Sequence, residues 1–240
     1  EEPASVLELR ILMARAKLTD RDLPFTFTEE QVKSASPAVM LWRAEKLQDS
    51  DPAKANELLQ VSLEKHPYEP NRLESMLLLA EISMAQAKKN PSPESWETAR
   101  EHYDRVIGRY GLRAEDGAPF LAKGRILIKL DRAEEAISFF SDVLRNPEWR
   151  GKPQAKAHLQ LGIANYNLRK YGEAHGFFER LMLGFGGFKD EVALAYYWDL
   201  KTLDAMNETE SVSQLLADFR KREDLVETEG YSLIKENYEL

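Results

Sequence analysis

The chain has 240 residues, a formal net charge of −8 and no cysteine. The lack of cysteine excludes disulfide bonds, cysteine-ligated zinc or iron–sulfur centres and a thiol nucleophile. An acidic chain also lacks the overall positive field that drives non-specific nucleic-acid binding, so no nucleic-acid partner is expected. The longest apolar runs fall well short of the ~20 residues of a membrane span, so no transmembrane segment is expected either.

Two features of the chain bear on its compartment. It begins Glu1-Glu2-Pro3 without an initiator methionine or a signal peptide, as expected of a processed mature form or a trimmed chain. Cysteine avoidance is more common in exported bacterial proteins, where oxidation mispairs thiols. A periplasmic or exported bacterial location is therefore slightly favoured over a cytoplasmic one, and any membrane tether would lie outside this chain.

Residues 1–35 are predicted to form an N-terminal capping helix and a linker. Apolar side chains recur at helical spacing over residues 6–12. Residues 19–28 are polar and contain a proline, which indicates a linker. Thr28-x-x-Gln31 then has the pattern of a capping box, in which a side-chain oxygen accepts a hydrogen bond from an early amide of the helix.

Good helix formers fill the rest of the chain, with short connections that favour antiparallel neighbours. Further predicted helix-start signals are Asp51-Pro52, Asn71-x-x-Glu74 and Ser92-Pro93. In each, a polar side chain caps the helix, and in two of them proline takes the first helical position. Glycines expected near helix ends, where a left-handed backbone is needed, are Gly111, Gly151 and Gly184.

Two stretches share one layout, in which a small residue precedes an alanine by 12 positions and a phenylalanine follows that alanine by four. The residues are Gly124, Ala136 and Phe140 in the first stretch, and Gly162, Ala174 and Phe178 in the second. Because antiparallel helices approach closely only where both carry a small residue, we expect glycine and alanine to form the crossing. The phenylalanine then fills the space between one hairpin and the next.

The second stretch resembles the tetratricopeptide repeat, a helix–turn–helix unit of 34 residues. Leu161-Gly162 and Ala174-x-x-x-Phe178 match the pattern of this family, and His158 replaces its first aromatic residue. The first stretch matches less fully, because Lys123 replaces the leucine.

Three weaker copies extend the resemblance over residues 36–222. The five units run approximately over 36–70, 71–112, 117–150, 155–188 and 192–222. The second-helix markers of the weaker copies are Ala55, Ala99 and Ser211, so successive markers along the chain have spacings of 37 to 44. The extra residues are assigned to turns, including one stretched over residues 88–94. Asp199 is interpreted as replacing the small residue of the last unit.

The resemblance implies an all-α, right-handed α-solenoid of about five helical hairpins with capping helices. The C-terminal capping helix is placed at residues 223–240, where apolar side chains again have helical spacing. These side chains are Tyr231, Leu233, Ile234 and Tyr238.

No combination of residues points to catalysis or to a cofactor. The four histidines have no metal-ligand spacing, and we interpret His158 as a packing residue because of its place in the repeat. Gly184–Gly187 is rich in glycine but lacks the preceding strand and the following Lys-Ser/Thr of a phosphate loop. We therefore expect no enzyme activity, no cofactor and no metal site.

The resemblance also implies where a partner would bind. In this family the first helix of each pair lines a concave groove, and its groove positions carry over onto three units of the chain. The predicted partner-binding residues are Arg125, Lys129, Lys156, Gln160, Tyr166, Asn167, Tyr196 and Tyr197. Tyrosine and arginine are frequent at binding hot spots. The alternative is that the tyrosines fill helix-pair cores while the cations stay solvated.

The expected function is therefore non-catalytic binding of a peptide or partner protein in this groove. The carboxylate clamp with which some family members hold chaperone C-termini is not reproduced at the matching positions, which disfavours a co-chaperone role. Two alternatives stay open: an accessory protein of the bacterial envelope, such as one for outer-membrane assembly, and a self-associating structural module. The sequence does not fix the oligomeric state.

Overall fold

A computed structural model describes residues 35–111 and 117–238, and within these residues the regular structure is entirely helical. The predicted N-terminal capping helix and the capping box at Thr28 lie outside the described residues. The chain divides into an N-terminal unit, residues 1–111, and a C-terminal unit, residues 112–240. Within each unit, consecutive helices pack as antiparallel pairs.

The described part of the N-terminal unit contains four helices. They are α1 (Pro37–Leu47), α2 (Pro52–Lys65), α3 (Arg72–Lys89) and α4 (Pro93–Tyr110). Each helix packs on the next, and α1 also contacts α3. One apolar cluster between α1, α2 and α3 consists of Leu41, Ala44, Ala55, Leu59, Leu78, Leu79 and Ile82.

Two of the three predicted start signals in this unit are confirmed. The Asp51 carboxylate accepts a hydrogen bond at 3.1 Å from an amide three residues into the start of α2. Ser92 and Ser95 exchange two amide-to-hydroxyl hydrogen bonds at the start of α4. The prediction for Asn71 is wrong, because its side chain caps no amide. Its backbone, at φ −84° and ψ 12°, lacks the extended conformation that a capping residue adopts.

The turn predicted to be stretched over residues 88–94 is in fact short. Helix α3 continues to Lys89 and α4 begins at Pro93, so only three residues connect them. Both helices have 18 residues, because the segment Ala-Gln-Ala-Lys-Lys at residues 85–89 consists of good helix formers. The extra length of this hairpin therefore lies in its helices.

The described part of the C-terminal unit contains seven helices and one short 3₁₀ turn. They are α5 (Ala118–Lys129), α6 (Ala133–Arg145), α7 (Lys152–Asn167), α8 (Tyr171–Gly184), α9 (Lys189–Ala205), α10 (Thr209–Phe219), the 3₁₀ turn Glu223–Leu225 and α11 (Glu229–Asn237). Besides the consecutive contacts, α5 lies against α7 and α7 against α9. Helix α11 packs on α9, where Ile234 is buried.

The turns inside the three hairpins of this unit share one geometry and recur at equal intervals along the chain. Asp131, Arg169 and Asn207 adopt positive φ angles of 59°, 57° and 61°. After each of them, an amide donates a hydrogen bond to a carbonyl five residues back, at 2.9–3.0 Å. This arrangement is the Schellman ending of a helix. The C-terminal unit is therefore a structural repeat, and we call the constant interval from Asp131 to Arg169 and from Arg169 to Asn207 the turn period.

The predicted glycine ends are confirmed in part. Gly111 has a positive φ angle and follows the end of α4, whereas Gly151 has a positive φ angle but directly precedes the start of α7. Gly184 has no positive φ and forms the last residue of α8. Within the hairpins, the residues with a left-handed backbone are Asp131, Arg169 and Asn207. A search for glycine alone could not have located these turns.

The turn period corrects the sequence register of the last hairpin by one position. The residue that corresponds to Ala174 is Val212, so the predicted marker Ser211 is wrong. Asp199 stands at the position of Leu161, and it does not replace the small residue of the last unit. Leu200 occupies that small-residue position.

Substitution of Arg169 by glycine is expected to stabilise the C-terminal unit by about 0.5–1 kcal/mol. A non-glycine residue at positive φ costs about 1–2 kcal/mol, and the larger chain entropy of unfolded glycine cancels part of this gain. The free energy of unfolding in urea measures the change. A loss of stability would show that the Arg169 side chain contributes more than the backbone strain costs.

The small residues of the two strongest repeats are confirmed as close-contact positions, although the nearest neighbour is the phenylalanine. A Cβ atom on Gly162 would lie 2.3 Å from Cε1 of Phe178, and one on Gly124 would lie 2.3 Å from Cζ of Phe140. Both phenylalanines are fully buried, and an edge of each ring lies against the glycine of its own hairpin.

Candidate functional site

Helices α5, α7 and α9 lie side by side in the C-terminal unit and present equivalent positions to solvent once in each turn period. We call this surface the first-helix face. The predicted residues that are exposed there are Arg125, Lys129, Lys156 and Asn167. Those that are half-buried are Gln160, Tyr166 and Tyr197. Seven of the eight predicted partner-binding residues thus have at least part of their side chain in solvent.

Tyr196 is the exception, because it belongs to the core of the C-terminal unit. Only 8% of its surface is exposed, and its ring centroid lies 5.2 Å from that of Phe219. The error comes from the register of the last hairpin. With a repeat spacing of 37 residues, Tyr196 and Leu200 fall at the predicted surface positions. With the observed turn period of 38 residues, Tyr197 and Lys201 fall there.

Four aromatic rings form a continuous, half-exposed patch across α7, α8 and α9. We define this aromatic patch as Tyr166, Tyr171, Tyr197 and Trp198. The centroid of Tyr166 lies 5.5 Å from that of Tyr171 and 5.4 Å from that of Trp198, and Tyr197 lies 5.8 Å from Trp198. These separations are typical of favourable edge-to-face ring pairs, so the rings hold one another in place.

The ammonium group of Lys201 lies over three rings of this patch. Its Nζ atom is 4.7 Å from the centroid of Trp198, 5.4 Å from that of Tyr197 and 5.8 Å from that of Tyr166. Such contacts stabilise a cation by attraction to the electron-rich ring faces. Over residues 35–111 and 117–238, no carboxylate forms an ion pair with Lys201. Among the described residues, three aromatic rings thus position this cation.

Asp204 marks the edge of the patch and is already hydrogen-bonded. The Tyr238 hydroxyl donates a hydrogen bond of 2.6 Å to the Asp204 Oδ2 atom. Burial, followed by the interaction with Asp204, raises the pKa of Tyr238 above its ordinary value. The contact connects the end of α11 to the end of α9, so α11 forms one border of the first-helix face.

A His–Asp pair with a buried carboxylate lies between α8 and α9. His175 Nδ1 is 2.8 Å from the Asp199 Oδ1 atom, and Glu179 Oε1 is 3.6 Å from the other ring nitrogen. Asp199 is fully buried, and its Oδ2 atom has no hydrogen-bond partner. The hydrogen bond that His175 donates to Asp199 raises the pKa of His175. We interpret this pair as a structural ion pair, since no nucleophile among the described residues contacts it.

A second histidine, His102, is hydrogen-bonded to a serine, an arrangement that also occurs in catalytic Ser–His pairs. Ser83 Oγ lies 2.7 Å from His102 Nδ1 and 2.8 Å from the Leu79 carbonyl. Both side chains are buried, and the serine hydroxyl donates to the helix behind it. Burial and the nearby Arg105 lower the pKa of His102. The pair therefore joins α3 to α4 and presents no free nucleophile.

His158 packs among aromatic side chains, with its ring 5.3 Å from Phe185 and 6.0 Å from Phe177. Burial lowers its pKa.

In the part of the chain that the structure describes, no group of three histidine, aspartate or glutamate side chains is arranged to hold a metal ion. The helices of that part also include none that is both long and apolar enough to cross a membrane.

Sequence reasoning missed Tyr171, Lys201 and the surface role of Trp198, as well as the His175–Asp199 pair. The turn period could have revealed two of them. Trp198 and Lys201 follow Gln160 and Ile163 by that interval, so they occupy equivalent positions on the first-helix face.

Comparison with known proteins adds no independent assignment, because no family model and no curated protein matches the chain.

Proposed function

We propose that the chain is a non-catalytic protein-interaction module that binds a peptide or partner segment on its first-helix face. The observation that carries this proposal is the aromatic patch, in which four half-exposed rings cluster beside a cation. Large rings that are fixed by their neighbours bury much area at low entropic cost on binding, which is why Tyr, Trp and Arg are enriched at hot spots.

The turn period supports a more specific architecture. We propose that the hairpins are tetratricopeptide-like repeats in a right-handed solenoid, with the first-helix face on its concave side. The repeated turns, the glycine–phenylalanine contacts and the side-by-side packing of α5, α7 and α9 are features expected of such a stack. On this proposal the face is a pre-formed surface, so binding requires little reorganisation.

The proposal predicts that peptides selected from a random display library against the full chain depend on the aromatic patch. The Tyr197→Ala/Lys201→Ala double variant is expected to bind these peptides about 30-fold more weakly than wild type, because a hot-spot truncation costs about 2 kcal/mol or more. Fluorescence anisotropy with labelled peptides measures the affinities.

A matched control exists on the neighbouring helix. Phe177 and Arg180 on α8 form an aromatic–cation pair with a separation of 5.4 Å, the same as that of Tyr197 and Lys201. The Phe177→Ala/Arg180→Ala variant is expected to bind like wild type. Peptides that bind both variants equally, or a selection that yields no binding peptide, would contradict the proposed function.

A further inference from the structure

Charge is segregated between the two kinds of helix in the C-terminal unit. Helices α5 and α7 contain no aspartate or glutamate, and their basic residues are Lys123, Arg125, Lys129, Lys152 and Lys156. Helices α6, α8 and α10 contain seven acidic residues against two arginines, Arg145 and Arg180. An acidic protein therefore has a locally basic surface where α5 and α7 face solvent.

Helix α9 has two cations: Lys189 is its first residue, and Lys201 lies over the aromatic patch. Asp190 and Glu191 lie at the opposite end of the helix, Asp199 is buried against His175, and Asp204 accepts a hydrogen bond from Tyr238. The acidic residues of α9 are thus distant from the patch, buried or already bonded. Lys201 stands at the position equivalent to Arg125 on α5, so two cations occupy the same row of the first-helix face.

The Lys201 ammonium has three hydrogen-bond donors and no carboxylate partner in the described residues. Its contacts with three ring faces favour one position of the ammonium group. A charge-assisted hydrogen bond formed at such a site is stronger than one to a mobile surface lysine. The same rings offer flat apolar area to the side chains that flank an anionic group.

Building on the proposed function, we propose that the partner is an acidic protein segment, with an aspartate or glutamate bound to Lys201 and an apolar side chain beside it on the aromatic patch. Lys129 and Lys156, which are both exposed, attract further acidic residues of the same segment. The acidic second helices repel segments that approach from other directions, and this contrast in charge sets the orientation.

Two other occupants fit the surface less well. A cationic ligand would have to displace Lys201 from the rings and would then meet the cations of α5 and α7. Single-stranded nucleic acid also uses aromatic and basic surfaces, but its many phosphates would approach a protein of net charge −8. An acidic segment needs only a few local contacts.

The test is a double-mutant cycle on peptides selected as above. Each selected peptide is made again with its acidic residues replaced by the corresponding amides, and both forms are measured on wild type and Lys201→Gln. We expect acidic residues in the selected peptides, about tenfold weaker binding of the amide forms to wild type, and a much smaller difference on Lys201→Gln. The Arg180→Gln control is expected to keep the full difference.

The possible outcomes separate this inference from the proposed function. Selected peptides that need Tyr197 but lack acidic residues, or show no coupling to Lys201, would overturn the inference and leave the interaction surface intact. Basic peptides that bind Lys201→Gln more tightly than wild type would also overturn it, as would displacement of a bound peptide by an oligonucleotide at physiological salt. Binding that ignores Tyr197 would contradict the proposed function itself.

Discussion

Replacement of His175 by alanine is expected to destabilise the C-terminal unit by about 3 kcal/mol at neutral pH. Removal of one partner of a buried ion pair costs about 3–5 kcal/mol, because the other charge stays buried without compensation. Asp199 is fully buried and already has one unpaired oxygen. The His175 side chain is 32% exposed, so water can approach its vacated position, and we expect the lower end of this range.

The pH dependence of stability follows from the shifted pKa values. Because the folded-state pKa of His175 is raised above 6.5, mainly by its hydrogen bond to Asp199, its stabilising contribution is fully present below about pH 6.5. That contribution is lost as the pH rises through the raised value. In the alanine variant this dependence disappears, and protonation of the buried Asp199 makes the variant recover stability as the pH falls.

The equivalent contact between α6 and α7 provides a rescue variant. Ile137 and Leu161 occupy the positions equivalent to His175 and Asp199, and they pack in one apolar cluster. The His175→Ile/Asp199→Leu double variant is therefore expected to be as stable as wild type or more stable, with a gain in unfolding free energy of up to about 4 kcal/mol. Its unfolding free energy should depend little on pH near neutrality. Urea unfolding of the three proteins across pH measures this. A His175→Ala variant as stable as wild type would show that the pair contributes nothing.

Substitution of Gly162 by alanine is expected to destabilise the chain by about 1 kcal/mol, although alanine is the better helix former. The new Cβ would lie 2.3 Å from the fully buried ring of Phe178. Overpacking of this kind typically costs about 1–3 kcal/mol, which exceeds the gain of about 1 kcal/mol in helix propensity. Chemical denaturation of wild type and variant measures the difference.

Gly176 is the matched control because it also lies inside a helix of this unit. The nearest atom to its added Cβ is a terminal nitrogen of Arg180 at 3.8 Å, an ordinary contact. Gly176→Ala is therefore expected to stabilise the protein by about 0.5–1 kcal/mol. Equal effects of the two substitutions would show that the contact between Gly162 and Phe178 is not tight.

The helical hairpins could be predicted from the sequence because their signals are local. Proline after Asp51 or Ser92 fixes a helix start within one turn, and Gly162 with Phe178 fixes the contact between two helices. The register of the last hairpin depends on a different kind of information. Neither Ser211 nor Val212 is an alanine, and Leu200 occupies the position equivalent to Gly162. Local sequence patterns therefore allow a repeat spacing of either 37 or 38 residues.

A shift of one residue on a helix turns a side chain by about 100°, which is the difference between Tyr196 in the core and Tyr197 on the surface. The role of Asp199 was equally hidden, since its partner His175 lies 24 residues earlier on another helix. The candidate site residues on α5 and α7 are at least partly exposed, and their role in binding stays a prediction. The aromatic patch became visible only when α7, α8 and α9 were placed together.

The most direct measurement of the central claim is a hydroxyl-radical footprint of the wild-type chain with and without a library-selected acidic peptide. A docking site on the first-helix face predicts that the peptide protects Tyr166, Tyr197 and Trp198 from oxidation. Phe177 on α8 should react equally in both samples. Protection that is confined to the second helices, or unchanged oxidation of the aromatic patch under saturating peptide, would contradict the account.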